Sequence, residues 1–273
     1  MGYHRPDGRV GSRNLVGVIP SVTCANDVAQ AIVTEVQGTV GYFHHQGCCQ
    51  LPPDLDRVTE TLTSLGQSPN LGAVLIVSLG CEGTDFEKMY KTIEATGKPV
   101  RIIGIQELGG VSNAIQKGID LARQLVIEIS GQQRQPASIE EVVMAIKCGA
   151  SDTTSGMASN CVIGYIADKL VDLGATVIFG ETTEFIGGEH LLARRAVNEA
   201  VGQKIYDIVN AMETRAKSLG CDMRKGQPTP GNIAGGLSSI EEKTLGAIVK
   251  SGTRPIQGVL EYCDKITDQK GLW

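Results

Sequence analysis

Aromatic side chains are scarce, at 4% of 273 residues. A β-sandwich anchored on large rings is therefore not expected, and Ala, Val, Ile and Leu must supply the core. Positive charge is also short. The formal net charge is -5 and the pI is near 5.5, which argues against a nucleic-acid binder with a basic face. No apolar run approaches the ~18 residues of a membrane span. The opening from Met1 to Arg9 is too polar for a signal peptide, and Pro6 stands where a myristoylation signal has Ser or Thr. A cytosolic (cytoplasmic) protein is expected, with neither membrane nor nucleic acid as partner. A zinc-type CxxC pair, a Walker Gly-Lys-Ser/Thr and a GxGxxG dinucleotide fingerprint are all missing from the sequence. Internal repeats and low-complexity tracts are missing too.

What is present is glycine, at 34 residues, and cysteine, at 8. Disulfides are rare in the cytosol, so such thiols read as buried apolar groups, nucleophiles or metal ligands. Apolar runs alternate with amphipathic stretches. Strands are expected at 15–20, 39–43, 71–79 and 99–105, with helices at 27–37, 55–65, 85–96 and 111–129 between and after them. After a polar stretch closed by Pro136 come a strand at 142–146, a helix from about 160 to 173 and a strand at 175–179. A long helix is expected over roughly 191–219. Residues 226–236 hold too many breakers to be regular, and a helix follows at 238–251. The pattern predicts an α/β fold of parallel-sheet, Rossmann-like layers with right-handed crossovers, in two subdomains. One spans 1–135. The other, 136–273, shows so few strands that an incomplete sheet is expected.

Chemistry-bearing residues gather where strands end, and in open α/β sheets that edge binds ligands. His44, His45, Cys48 and Cys49 follow the second strand. Gly80-Cys81-Glu82 follows the third. Lys147-Cys148-Gly149-Ala150-Ser151-Asp152 follows the strand at 142–146. Three unrelated buried thiols would satisfy the spacing. So would one soft-ligand site of Cys48, Cys81 and Cys148, with His44 as ligand or base, holding iron, zinc or an iron–sulfur cluster with one position open. Cys24 reads as structural. Asp152 lies four residues beyond Cys148, and Glu181, Glu184 and His190 crowd another strand end. Carboxylates and imidazoles beside a metal supply the base and Lewis acid that dehydration of a hydroxy acid needs. Glu184 and His190 also suit an ordinary helix start. Arg5, Arg9 and Arg13 recur every four residues, as a solvated face or as a carboxylate clamp. Pro230 to Gly236 looks like an anion cradle before a helix. Lys243 reads as an exposed helical lysine or a base.

These residues resemble those of the altronate/galactarate dehydratase family, which includes the large subunit of sulfolactate sulfo-lyase. The matching stretches are Gly2-Tyr3-x-Arg5-x-Asp7-Gly8-Arg9-x-Gly11-x-Arg13-Asn14, His44-x-x-Gly47-Cys48, Gly80-Cys81-Glu82, Cys148-Gly149-x-Ser151-Asp152 with Ser155-Gly156, and Glu181-x-x-Glu184 through Glu189-His190. To these are added Pro230-Gly231-Asn232 with Gly235-Gly236, and Glu242-Lys243-x-x-Gly246-Ala247. The likeness spans nearly the whole chain. Cys49 departs from a usual Gly, and Cys161 from a usual Pro.

The resemblance implies an iron-dependent lyase (Fe2+) that removes water from a sugar acid such as altronate or galactarate, or sulfite from sulfolactate. It implies metal ligands among His44, Cys48, Cys81 and Cys148, and catalytic roles for Asp152, Glu181, Glu184 and His190. Substrate binding would fall to Arg5, Arg9, Arg13, Ser151, Asn232 and Lys243. It implies a dimerising middle domain and a Rossmann-like C-terminal domain. The family's small β-rich N-terminal domain and its last third are expected to be absent from this stretch. The β-rich part would then be either a separate partner subunit or a domain that was removed, and a homodimer is expected. The opposing expectation is a non-catalytic structural half of a heteromer.

Overall fold

The computed structural model describes residues 1–261, 264, 266 and 270–273. Cys263 lies outside the described residues. Two compact units divide the chain, at Met1–Ala137 and Ser138–Trp273. Among the described residues, no helix is long and apolar enough to cross a membrane.

The first unit opens with a two-stranded antiparallel pair, β1 (Tyr3–His4) and β2 (Val10–Gly11). A parallel four-stranded sheet follows, built from β3 (Leu15–Pro20), β4 (Thr39–Gly41), β5 (Leu71–Ser78) and β6 (Val100–Gly104) in the order β4-β3-β5-β6. The connecting helices are α1 (Asn26–Glu35), α2 (Pro52–Gly66), α3 (Phe86–Glu94) and α4 (Val111–Ser130). All eight residues of β5 are buried, because helices cover both faces of the sheet. Val16, Val18, Ala73, Leu75 and Val77 face α1 and α4, while Ile19, Val74 and Ile76 meet Leu62 of α2 and Met89 and Ile93 of α3. The period-two alternation of a strand divides the two cores. The strand order reverses direction between β3 and β5, so the loops after these strands flank the crevice where such sheets bind ligands.

The second unit has three parallel strands, β7 (Val143–Ile146), β8 (Thr176–Phe179) and β9 (Gly271–Leu272), ordered β7-β8-β9. The polar corner after β7 runs through a π-helical turn, Ser155–Ser159, into α5 (Asn160–Asp172). α5 and α9 (Ile240–Val249) approach closely at Gly164, where a Cβ would sit 2.1 Å from the Val249 carbonyl oxygen. The long helix expected over 191–219 is instead two helices, α6 (Glu189–Ala193) and α7 (Glu199–Ser218). Two interactions break it. The Arg195 carbonyl accepts from Ile256 N–H at 2.9 Å, and the Asn198 side chain caps α7 by accepting from Val201 N–H. The stretch expected to be irregular contains α8 (Pro230–Ala234), started by a Thr229–Asn232 capping box with Pro at its first position. The third strand escaped the sequence reading because only two residues, Gly271 and Leu272, pair with β8.

Candidate functional site

In the first unit, the loops after β3, β4 and β5 are fastened to one another at the carboxyl edge. Gly83 N–H donates to the Gly47 carbonyl at 2.8 Å and Thr23 N–H to Gln46 O at 2.9 Å. The Thr84 hydroxyl donates to Ser21 O at 2.7 Å. Gly47 has a φ of +102°, and a Cβ there would lie 2.7 Å from Ser21 O, so only glycine lets the Cys48 loop lie this close to β3. Glu82 shapes the Cys81 loop: its carboxylate accepts from Gly80 N–H at 2.6 Å, Leu79 N–H at 3.1 Å and the Ser21 hydroxyl at 2.6 Å. Burial would raise the Glu82 carboxyl, but these donors outweigh it and hold the group below the usual glutamate value. No local sequence signal marks this role of Glu82, since its partner Ser21 lies 61 residues away.

Cys24, Cys48, Cys49 and Cys81 are therefore exposed thiols on one sheet edge. The Cys48 and Cys49 sulfurs are 3.6 Å apart, and this contact pushes the Cys49 thiol up. His44 is occupied. Gln46 N–H donates to Nδ1 at 3.2 Å, so Nε2 carries the proton and donates to Pro20 O at 2.7 Å. With neither nitrogen free, the imidazole does not serve as a metal ligand in this conformation.

The arginines are also spent. Arg5 is 6% exposed; its guanidinium donates to Pro69 O, Arg13 O, Asn14 and Gln132, which ties the chain opening to the end of α4. Arg9 pairs with Asp7 at 2.6 Å and donates to Gln67 O. Arg13 contributes its backbone to this knot and leaves its side chain exposed. Three arginines at a four-residue spacing thus do not form a clamp, because the segment is a two-stranded pair rather than a helix.

In the second unit, the parallel pairing of β7 with β8 brings their carboxyl ends together, and Gly180 N–H donates to Ile146 O at 3.1 Å. Lys147, which opens the stretch after β7 and had no assigned role, ion-pairs with Glu184 at 3.2 Å. Thr183 donates to the other Glu184 oxygen at 2.7 Å. Burial would raise the Glu184 carboxyl; the Thr183 and Lys147 contacts win and hold it low. Glu181 is fully buried and ion-paired with Lys250, itself 5% exposed. Burial pushes the Glu181 carboxyl up against the opposing pull of Lys250. The sequence carried no signal for this pairing, since Lys250 sits at the end of α9, 69 residues on.

Ser151 and Cys148 sit beside one another, with Oγ and Sγ 3.5 Å apart. Asn232 Nδ2 donates to Ser151 O at 3.0 Å, and its Oδ1 accepts from Lys243 Nζ at 3.2 Å. Lys243 also donates to Gln227. Lys243 is thus half-buried in a polar knot rather than an exposed helical lysine. Thr153 N–H, donating to Gly235 O at 3.0 Å, seats the Cys148 corner on the end of α8.

Asp152 corrects an expectation. Its carboxylate accepts from Ser155 N–H at 2.7 Å and from the Thr154 hydroxyl at 2.8 Å, capping the turn that starts α5. The Ser155 N–H, then the Thr154 hydroxyl, hold its carboxyl below the usual aspartate value, so the group is committed to the cap. His190 is exposed on α6.

Thiolates on neighbouring loops are chemically suited to iron. Among the described residues, however, no three His, Cys, Asp or Glu side chains are grouped to hold a metal ion. Cys48 and Cys81 belong to the first unit and Cys148 to the second.

Comparison with known proteins follows the same division. Residues 2–130 match the second domain of D-galactarate dehydratase/altronate hydrolase, and residues 139–273 match the C-terminal domain of D-galactarate/altronate dehydratase. The whole chain is 41% identical to the (2R)-sulfolactate sulfo-lyase subunit beta of Chromohalobacter salexigens, covering 70% of that protein. It is 30% identical to the altronate dehydratase of Bacillus subtilis over 99% of this chain, covering 56% of that enzyme. It is 33% identical to the galactarate dehydratase (L-threo-forming) of Escherichia coli over 99% of this chain, covering 55% of that enzyme. The chain spans little more than half the length of these two dehydratases. Two consecutive domain matches and a relative 41% identical over the whole of this chain show that it belongs to the D-galactarate/altronate dehydratase family.

Proposed function

We propose that this chain is a lyase acting on a small hydroxy acid, removing a leaving group from the carbon next to the one that bears the carboxylate. The observation that carries this reading is the joined edge of the second unit. There the ends of β7 and β8 hold the Lys147–Glu184 pair, and the corner that follows β7 meets the α8 segment in a second set of contacts, Ser151 with Asn232 and Asn232 with Lys243. Such an elimination needs a cation for the carboxylate and a base for the proton beside it. Lys243, steered by Asn232 and Gln227, binds the carboxylate. Glu184, held ionised by Thr183 and Lys147, accepts the proton from the carbon next to that carboxylate. The C–H electron pair becomes a carbon–carbon double bond, the leaving group departs with its own bonding pair, and the resulting enol tautomerises to a 2-oxo acid. Glu181, buried against Lys250, positions the β8 loop from behind.

Two leaving groups fit this scheme, water from a sugar acid or sulfite from sulfolactate. The sulfite reading is favoured by identity, 41% to the sulfo-lyase subunit against 30% and 33% to the altronate and galactarate dehydratases. It also brings a partner subunit with it, since that relative is named as a beta subunit. Iron belongs to the proposal through Cys48 and Cys81, exposed thiols on the first unit's edge.

The test is a substrate panel of altronate, galactarate and (2R)-sulfolactate on anaerobically purified protein, with 2-oxo acid and sulfite measured separately. Sulfite with pyruvate from sulfolactate alone supports the favoured reading. A 2-oxo sugar acid from altronate or galactarate moves the assignment to a hydro-lyase, and no product from any of the three, with and without added iron(II), sinks the lyase reading. Metal content, compared with that of Cys48→Ser and Cys81→Ser, tests the iron part by itself: unchanged iron in both variants removes it.

A further inference from the structure

The loop after β4 carries two consecutive thiols whose arrangement the lyase reading does not use. In extended backbone, neighbouring side chains point to opposite faces. Cys49 instead has a φ of +56°, the one non-glycine residue in the left-handed region among the described residues. That turn brings the Cys48 and Cys49 sulfurs to 3.6 Å, with both residues exposed. The loop is pinned on each side, by Gly47 N–H donating to Gln50 Oε1 at 2.9 Å and by Gly83 N–H donating to Gly47 O at 2.8 Å. A left-handed conformation strains a non-glycine residue, so the surrounding contacts must hold it.

We propose that Cys48 and Cys49 form a vicinal dithiol, a modification site that a low-molecular-weight disulfide converts reversibly into an intrachain disulfide. One thiolate of the pair attacks a sulfur of the small disulfide, and a mixed disulfide forms as the first small thiolate leaves. The second cysteine gives its proton to solvent and attacks the protein sulfur of that mixed disulfide. The second small thiolate then leaves. Two protein thiols are oxidised and one small disulfide is reduced to two thiols. Adjacent Cα atoms lie about 3.8 Å apart, below the ~4.4–6.8 Å of ordinary disulfides, so the closed ring is strained and opens readily in excess thiol. Cys24, in the turn after β3, lies within electrostatic range of Cys49 and is the competing partner. The inference does not rest on iron. Where Cys48 does ligate a metal, closing the ring withdraws that ligand.

The full chain is incubated anaerobically with oxidised glutathione, alkylated and cut with chymotrypsin, which separates Cys24 from the peptide that begins at His44. The expected product is that peptide two hydrogens lighter, unalkylated, and doubly alkylated after dithiothreitol. Glutathione adducts on both cysteines, a Cys24–Cys49 link, or two cysteines alkylated without prior reduction each overturn the proposal. Cys49→Gly keeps the fold, because glycine suits the positive φ. It is expected to leave a persistent glutathione adduct on Cys48, whereas loss of the product in Cys24→Ser overturns the assignment. Mass is the only readout, so absence of lyase activity leaves this outcome unaffected.

Discussion

The two units are both parallel sheets wrapped by helices, yet they keep their chemistry in different places. The first unit has a dry sheet, with every residue of β5 buried, and its reactive groups are exposed thiols on loops outside it. The second unit's sheet is smaller and leakier. Val143 on β7 is 59% exposed, while Glu181 and Lys250 are buried at 0% and 5%. Four exposed thiols gather on the first unit's loops, while the second unit's strand ends hold the paired carboxylates and lysines beside Cys148. A carboxylate and an ammonium buried at a strand end constrain one another, whereas loop thiols are constrained only by the backbone that carries them.

Lys250→Met should break the second unit's side of this contrast most severely. It leaves Glu181 buried without a counter-charge, and loss of one partner costs about 3–5 kcal/mol. Hydrogen exchange followed by mass spectrometry should show α9 and the β8 loop opening first. Adding Glu181→Leu should recover most of the loss, because an apolar pair needs no counter-charge. A double variant as unstable as the single one would show that packing, not charge, is at stake.

On the thiol side, backbone is the weak point. Gly47→Ala places a Cβ 2.7 Å from Ser21 O at a φ of +102°, and such strain costs about 1–3 kcal/mol. Exchange should rise in the loops after β3, β4 and β5, and the second unit's peptides should be unchanged. If the effect spread to β8, the separation drawn between the units would fail.

Lys98 is the first unit's own buried charge, donating to Gly66 O and Ser68 O at the end of α2. Burial, with Arg9 and Arg5 nearby, lowers its pKa to about 8. An unfolded lysine titrates near ~10.4. Between those values the unfolded chain holds a proton that native Lys98 has given up, so stability should rise with pH across that window, by at most about 1.4 kcal/mol per unit. Denaturant titrations at pH 8, 9 and 10 should show this slope in the first unit, and Lys98→Met should flatten it. An equal slope in the variant would assign the effect elsewhere. The smallest effect expected is from Cys49→Gly, which relieves the left-handed residue and should raise the first unit's stability by up to ~1 kcal/mol in a thermal melt.

The strands and helices of the first unit were legible because their signals are local. A continuous apolar run at 71–78 and amphipathic helices on each side leave one plausible layer arrangement. The break between α6 and α7 was not legible. It depends on Ile256, which lies 61 residues from Arg195 and competes for a backbone carbonyl that a helix would otherwise use. β9 was hidden for the same reason, since two residues carry no periodicity of their own.

By itself, the sequence determined the strand-end placement of Cys48, Cys81 and Cys148, the carboxylates after β8 and the family. Each of these is a matter of order along the chain. Only the tertiary structure decided which of those groups are available. It spent Arg5 on Pro69, Asn14 and Gln132, spent the His44 nitrogens on Gln46 and on Pro20 of β3, and turned Asp152 into a helix cap. It also brought forward Lys147, Lys250 and the Asn232–Lys243 contact. A hydrogen-bond partner is chosen by proximity in space, and the topology sets that proximity across dozens of residues.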